Sequence, residues 1–329
     1  MTSPASIQPI LAVKHHPNAD LLDIVKCLGF EAIVKRDVWK VGDLICYIQP
    51  DTVLPDKSWS AFYRAKSNRV KAIRLRGAWS QGIVESLTTV EYVGPVESGR
   101  DISTDIGVTE YNPPQPQDPN ASGPYGYGIP KTDEERVENL DTVPYGEKVD
   151  VTLKIDGQSW TSFIHWDCGE WTEGVGGRSF LYKPDSDSHF TRNARKLDVF
   201  NKLRTFCVTH EIGLNGIALR GEQYGQGIQK GKHNPHASLP VSVALFSTWL
   251  IDERKYATKG HPLYIHTIAP ELGLPTVPML EKDVILTPEL IKRYAEELEQ
   301  VNGQLFEGVV INHEGGSFKV INLAYDSKK

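Results

Sequence analysis

Several features are scarce or missing in this chain of 329 residues. Cysteine occurs only at 27, 46, 168 and 207, with no C-x-x-C pair. That argues against a structural zinc site and suggests no disulfide framework, so a reducing, cytoplasmic setting is expected. No stretch approaches the ~20 apolar residues that span a bilayer, so no membrane contact is expected. Residues 1–11 have neither a basic n-region nor a long apolar run, so no signal peptide is expected. An excess of positive charge is also missing, because 36 Lys+Arg face 42 Asp+Glu for a net charge of −6. A purely electrostatic nucleic-acid binder would be basic, so any such contact must come from local patches. What remains is ordinary: 40% hydrophobic and 24% charged residues exclude a disordered, collagen-like or coiled-coil chain. The length is about twice the usual ~150 residues per domain, which predicts two domains.

The clearest break is 112–130, NPPQPQDPNASGPYGYGIP, with six prolines and three glycines. Proline fixes φ and removes a donor, so this segment is no core element and reads as a linker or surface strap. The expected division is therefore 1–111, a linker over 112–130, and 131–329. In the first part, short β runs at 43–49, 70–75 and 83–87 alternate with glycine turns, the pattern of a small β-barrel. Residues 64–76 carry Arg64, Lys66, Arg69, Lys71, Arg74 and Arg76, and no acid occurs between Asp56 and Glu85. Arg69 and Lys71 share one strand face, as do Arg74 and Arg76, and a bulge at Ala72-Ile73 would align all four. That array suits nucleic-acid phosphates; it equally suits a solvated edge strand guarded by cations.

After the linker, 132–140 reads as a short helix, with Thr132 as cap and Glu135 at capping-box spacing. Strands are expected at 148–155, 160–166, 218–223, 241–251, 308–312 and 317–321. Helical periodicity marks 193–206 and 288–301, the latter capped by Thr287 with Pro288 at its first position. Its stripe of Leu290, Ile291, Tyr294, Leu298 and Val301 is read as core packing. Strands outnumber helices, so the second part is expected to be α+β with mostly antiparallel sheets.

The sharpest local feature is Lys154-Ile155-Asp156-Gly157 at a strand end. Alternation puts Lys154 and Asp156 on one side, and Gly157 opens the turn. A strand-end lysine beside a carboxylate is a covalent nucleophile if desolvation or a nearby cation strips its proton; otherwise it is a surface ion pair. Further along come Gly221-Glu222 before a glycine turn, Ala244-Leu245-Phe246 in an apolar strand, Glu307-Gly308-Val309-Val310, and Phe318-Lys319-Val320.

That ordered set, with Gly176-Gly177-Arg178, resembles the six motifs of the covalent nucleotidyltransferase superfamily of polynucleotide ligases and mRNA capping enzymes. The resemblance covers about residues 130–325. Within it, the chain is most similar to ATP-dependent RNA ligases that carry an amino-terminal OB-like domain. Only eight residues follow Ile321, so the OB-like module is expected in front, where Val41–Ile45, Lys71–Gly77 and Ser80–Gly82 resemble that group. His16–Asp20 resembles the opening of OB-type tRNA-binding modules, although a simple strand-ending turn is the preferred reading of His15 and His16.

The resemblance implies a small OB-like β-barrel followed by an antiparallel-sheet adenylyltransferase domain. It implies ATP as cofactor, with Lys154 forming a covalent AMP adduct, and Mg²⁺ or Mn²⁺ as the metal. AMP would pass to a 5′-phosphate, and a 3′-hydroxyl would then displace it and seal RNA or an RNA-containing nicked duplex. Asp156, Gly157, Arg178, Glu222, Phe246 and Lys319 would bind the nucleotide: the carboxylates holding ribose hydroxyls or orienting Lys154, Phe246 on adenine, Lys319 on the α-phosphate, and Arg178 on the 5′-phosphate or ribose. Glu307 would hold the metal. Arg69, Lys71, Arg74, Arg76, Arg192, Arg195, Lys230 and Lys232 would contact nucleic acid, although a solvated helix face or loop accounts for the last four equally well. Two departures stand out. Ile321 replaces a second motif V lysine, and Ser247 replaces the acid often found after Phe246. Trp249 would replace Phe246 against the base only if the strand register differed. No obligate protein partner is expected, and nothing demands more than a monomer. The competing readings are a DNA ligase, a capping-type guanylyltransferase, or a non-catalytic RNA-binding protein.

Overall fold

The computed structural model describes residues 3–111, 118–131, 133–209 and 215–328. Thr132, read as a helix cap, and 112–117 of the Pro-rich segment lie outside the described residues. The chain divides into two compact units. The first is Met1–Pro116 with Arg136–Val143 and Asp326–Lys328; the second is Gln117–Glu135 with Pro144–Tyr325. The division is thus not contiguous in sequence.

In the first unit, strand Leu44–Ile48 lies between Ala5–Pro9 and Ile83–Glu85, antiparallel to both. Strands Ala12–His15, Leu22–Cys27 and Phe30–Lys35 form a meander beside it. Alternation buries both faces of Leu44–Ile48. Ile45 and Tyr47 join Val25, Phe30 and Val84 in one cluster, while Cys46 and Ile48 join Ala5, Ile7, Trp59 and Ile102 in another. Burial pushes the Cys27 and Cys46 thiols up to about 12, so they are unreactive core residues.

The basic stretch is two elements rather than one bulged strand. Val70 and Ala72 are buried, and the chain then enters a tight hairpin, Ile73–Leu75 against Ala78–Ser80. Arg69 donates to Asp51 and lies over Tyr111, whereas Arg74 lies over Trp79 in the hairpin. His16, buried, ties this hairpin down: its Nε2 meets the Leu75 carbonyl and its Nδ1 accepts from Asn18 N–H.

The expected helix over 132–140 does not form. Glu135–Arg136 is extended and Val137–Asn139 makes a single 3₁₀ turn. The reason is burial: Val137 enters the core, and Arg136 reaches Asp51 at 2.7 Å with its own side chain only 8% exposed.

Among its described residues the second unit carries two large antiparallel sheets and a two-stranded ribbon, Gln300–Val301 against Gln304–Leu305. In the larger, the neighbours run Ala121–Pro124, Phe180–Tyr182, Glu170–Gly176, Gln158–Asp167, Gly216–Tyr224, Ser242–Leu250 and Lys255–Tyr256. In the other, Gly308–His313 is central between Gly316–Ile321 and Lys148–Lys154, with Met279–Ile285 beyond. Helices Val199–Thr209 and Ile265–Leu272 cover one face of the large sheet through Leu203, Phe206, Ile265 and Ile268 against Trp160, Ile164, Leu219 and Leu245. The other face carries Phe163, Ala218, Trp249 and Ile251.

Periodicity at 193–206 resolves into His189–Leu197 and Val199–Thr209, broken at Asp198 in the left-handed region with φ 52°. Thr287 caps its helix as expected, accepting from Leu290 N–H, but the helix widens into a π turn at Arg293–Glu297 and stops at Leu298. Of the expected stripe, Tyr294 is buried; Leu290, Ile291, Leu298 and Val301 are half-buried. No helix among the described residues is long and apolar enough to cross a membrane.

The Asp51 carboxylate sits between Arg69 and Arg136. Burial alone would raise its pKa, but the two guanidinium groups outweigh burial and hold it at about 2. The triad's stabilisation is therefore full above the ordinary 3.8 and lost as pH falls through about 2. Asp51→Asn is expected to cost about 1–2 kcal/mol at neutral pH, less than a fully buried pair because Asp51 keeps solvent contact. Urea unfolding of both proteins checks this, and identical midpoints would refute the triad's role.

Candidate active site

The site forms where the two sheets of the second unit meet at the end of strand Lys148–Lys154. Val149 and Val151 are fully buried, so alternation turns Asp150, Thr152 and Lys154 to the opposite side. Antiparallel register places Lys154 opposite Gly308, which brings the preceding Glu307 alongside. Lys154 Nζ donates to Glu307 Oε2 at 2.6 Å, with the side chains 25% and 10% exposed. Gly308, at φ 154°, admits no side chain, because a Cβ would lie 2.3 Å from the Val320 carbonyl oxygen.

Asp156 is next on the chain. Its Oδ2 accepts from Tyr325 O–H at 2.8 Å, and its main-chain carbonyl accepts from Asn234 Nδ2 at 2.9 Å. Gly157 follows because the turn presses on the neighbouring strand: a Cβ there would lie 2.3 Å from the Gln223 carbonyl oxygen and 2.9 Å from Glu222 Cγ. Register Ser159↔Glu222 then sets Glu222 beside the strand that leaves the turn.

Charge is unbalanced around Lys154. Burial works against its ammonium, but Glu307, Glu222 and Asp156 outweigh that and hold its pKa well above the ordinary value. Glu222 is pushed up to about 8, chiefly by burial; Lys154 opposes this, and Glu307, Asp156 and Glu134 add to it. So three acids confront one lysine, the lysine is stored as an ammonium, and one acid is left near neutrality. His236 lies in the same field, its pKa lowered by burial against the pull of Asp156 and Glu307.

The aromatic residue is placed by a β-bulge. Arg220 pairs with Ser247 and Gly221 with Leu245, leaving Phe246 as the extra residue. Phe246 packs half-buried against Ile155, Ala244 and Val277, beside the lysine strand. Trp249 packs elsewhere, with Ile129, Phe163, Ala218 and Ile251.

The two cations expected at phosphate, Arg178 and Lys319, meet one carboxylate. Asp133 Oδ2 accepts from Arg178 at 3.0 Å and Asp133 Oδ1 from Lys319 at 3.0 Å. Thus Lys154, Asp156, Gly157, Glu222 and Glu307 converge, Phe246 packs against their strand, and Arg178 and Lys319 are bracketed together. The remaining cations are not part of that cluster. Arg192 is exposed near Asp187, Arg195 braces the Pro184 and Ser186 carbonyls, and Lys230 and Lys232 lie exposed on the loop after Glu222. Arg69, Lys71, Arg74 and Arg76 belong to the first unit. Sequence reasoning missed Tyr325, Asn234 and Asp133, whose roles come from distant contacts that no local pattern announces.

The donor set around Lys154 is oxygen, which suits a hard divalent cation. Among the described residues no three His, Cys, Asp or Glu side chains form a ready-made cage. Mg²⁺ needs none, since it is commonly held by one or two carboxylates, waters and substrate phosphates.

A small barrel ahead of a two-sheet unit that holds a strand-borne lysine among acids defines a covalent nucleotidyltransferase with a leading barrel. The RNA ligase family model matches residues 147–322, and an OB-fold domain model matches 4–87. The chain belongs to the RNA ligase family and is an RNA ligase enzyme; the DNA ligase, capping and non-catalytic readings are not favoured. It is similar to Naegleria gruberi RNA ligase, solved as a mutant with ATP and Mn, at 25% identity and TM-score 0.82, covering 98% of each chain. A second mutant of that ligase, with AMP and Mn, matches at 24% identity and TM-score 0.81 over 99% of each chain. The same ligase with PPi matches at 24% and 0.79, over 99% of this chain and 98% of that one. No curated protein matches.

The charge imbalance predicts a pH effect. Because the Glu222 pKa is raised from 4.5 to about 8, the folded chain keeps a proton that the unfolded chain loses in that window. Stability therefore falls as pH rises across it. Glu222→Gln removes the effect, so the melting-temperature difference, variant minus wild type, should grow from about pH 5 to about pH 8. Parallel melting profiles would contradict the shifted carboxyl.

Proposed function

We propose that this RNA ligase uses ATP to join a 3′-hydroxyl to a 5′-phosphate, with Lys154 as nucleophile. The observation that carries the reading is the lysine at a strand end, 2.6 Å from Glu307 and inside a field of three acids. Lys154 Nζ passes a proton to Glu307 and attacks the α-phosphorus as the free amine; the N–P bond forms, the bond to pyrophosphate breaks, and the amine's surplus proton departs with the pyrophosphate. The 5′-phosphate of the RNA end then attacks the same phosphorus, releasing the lysine and giving an adenylylated end. The 3′-hydroxyl attacks that end's phosphate, AMP leaves and the phosphodiester forms.

The chain's own residues are assigned by chemistry. Asp156 and Glu222 accept from ribose hydroxyls, and a carboxyl near neutrality such as Glu222 can also donate. Phe246, half-exposed beside the lysine strand, offers a ring face to adenine. Arg178 suits a bidentate grip on a 5′-phosphate, and Lys319 suits the α-phosphate. Glu307, aided by water, would hold Mg²⁺ or Mn²⁺. When bound, that ion supplies charge neutralisation at phosphate and disfavours the ammonium form of the nearby lysine. Arg69, Lys71, Arg74, Arg76, Arg192, Arg195, Lys230 and Lys232 are assigned to RNA backbone contact, with Arg74 and Arg76 on the first unit's hairpin the most accessible of its four. RNA or an RNA-containing nicked duplex is the proposed substrate. Buried free thiols at Cys27 and Cys46 suit a reducing cytoplasm.

Incubation with ATP and Mg²⁺ should add one AMP to the intact mass of the wild type and none to Lys154→Ala. An adduct on that variant would move the nucleophile elsewhere. Asp133 occupies the anion position between Arg178 and Lys319, so ATP phosphates compete with it. Exposed pairs are each worth under ~1 kcal/mol, so Asp133→Asn should lower the KM for ATP about threefold with little change in kcat. A raised KM would assign Asp133 to holding those cations in place.

A further inference from the structure

The last described helix, Leu323–Asp326, carries a side chain into the site that no motif contains. Tyr325 is 2% exposed, and its hydroxyl donates to Asp156 Oδ2 at 2.8 Å. The helix is itself held at its start. Asn322 Oδ1 accepts from Tyr325 N–H at 3.1 Å, and Asn322 Nδ2 donates to the Leu298 carbonyl at 2.7 Å. Asn322 N–H donates to the Glu307 carbonyl at 3.0 Å. One short segment is therefore bonded to both acids that flank Lys154, to Glu307 through its main chain and to Asp156 through its side chain.

We infer that Tyr325 is a positioning residue for lysyl adenylylation: its phenol fixes the rotation of the Asp156 carboxylate toward Lys154 and the nucleotide. The inference rests on the ligase reading above. A carboxylate on a strand-end turn is free to rotate about two side-chain bonds. Here the Asn234 amide pins its main chain and the Tyr325 phenol pins its side chain, so both ends of the residue are set before substrate arrives. Asp156 is 8% exposed, so water offers little substitute for the phenol. A hydrogen bond to a charged group in such a place is among the stronger ones. Burial drives the phenol pKa far up, and Asp156 and Glu307 push it further, so the group stays a donor throughout the physiological range.

The test is single-turnover lysyl-AMP formation with ATP and Mg²⁺ in the full chain, for wild type, Tyr325→Phe, Asp156→Asn and the double variant. Tyr325→Phe keeps the ring and loses the donor. It should slow the maximal rate roughly tenfold while the ATP concentration at half-maximal rate changes less than about twofold. In the Asp156→Asn background the same change should alter the rate less than about twofold, because the hydroxyl acts through that carboxylate. A wild-type rate for Tyr325→Phe, or losses that multiply in the double variant, would overturn the inference while leaving the ligase reading intact. Absence of an adduct on the wild type would sink that reading and the inference together. Should Tyr325→Phe fail to fold, Asn322→Ala provides the second measurement. By loosening the helix it should slow the maximal rate with little effect on the ATP requirement, and an unchanged rate would count against the role.

Discussion

Lys154 can be held in a partly buried pocket only because acids surround it. An isolated ammonium taken out of water would lose its proton or unfold its surroundings. Here Glu307 meets it directly, with Glu222 and Asp156 close enough to raise its pKa against burial. The same arrangement leaves negative charge in surplus, and Glu222 absorbs the surplus by holding its proton to about pH 8. Much of the local structure follows from assembling that group. Gly308 and Gly157 are bare because backbone presses against them, and the Phe246 bulge sets an aromatic residue beside the lysine strand.

The resting site is therefore electrostatically closed on itself. Lys154 is paired with Glu307, and Arg178 and Lys319 are paired with Asp133. Such pairs hold charged side chains in place without substrate. Exposure separates the two pairs: the Asp133 contacts are accessible and weak, whereas the Lys154 contact is largely shielded.

Chain topology adds a second layer. Segments far apart in sequence complete each unit, as Arg136–Val143 does for the first and the turn at Asn322–Tyr325 does for the site. Arg136 shows what this costs a local reading. Its stretch has helix-forming residues and a capping pattern, yet the chain is extended because Arg136 must reach Asp51. The basic run at 64–76 shows the same thing, because Arg69 is spent on an ion pair while Arg74 lies over Trp79 in a separate hairpin.

The sequence by itself determined what depends on short range. Apolar alternation located the strand that ends at Lys154, glycines marked the tight turns, Thr287 announced a helix start, and the order of six short motifs identified a family. Period and spacing carry such information because neighbouring residues share a backbone. Only the tertiary structure decided the rest: that Phe246 sits at a bulge, that Asp133 brackets Arg178 and Lys319, that the helix over 132–140 does not form, and that Tyr325 reaches Asp156. Each of these turns on a hydrogen bond, ion pair or packing contact made across the fold, and local propensity yields to such contacts because it is worth less than they are.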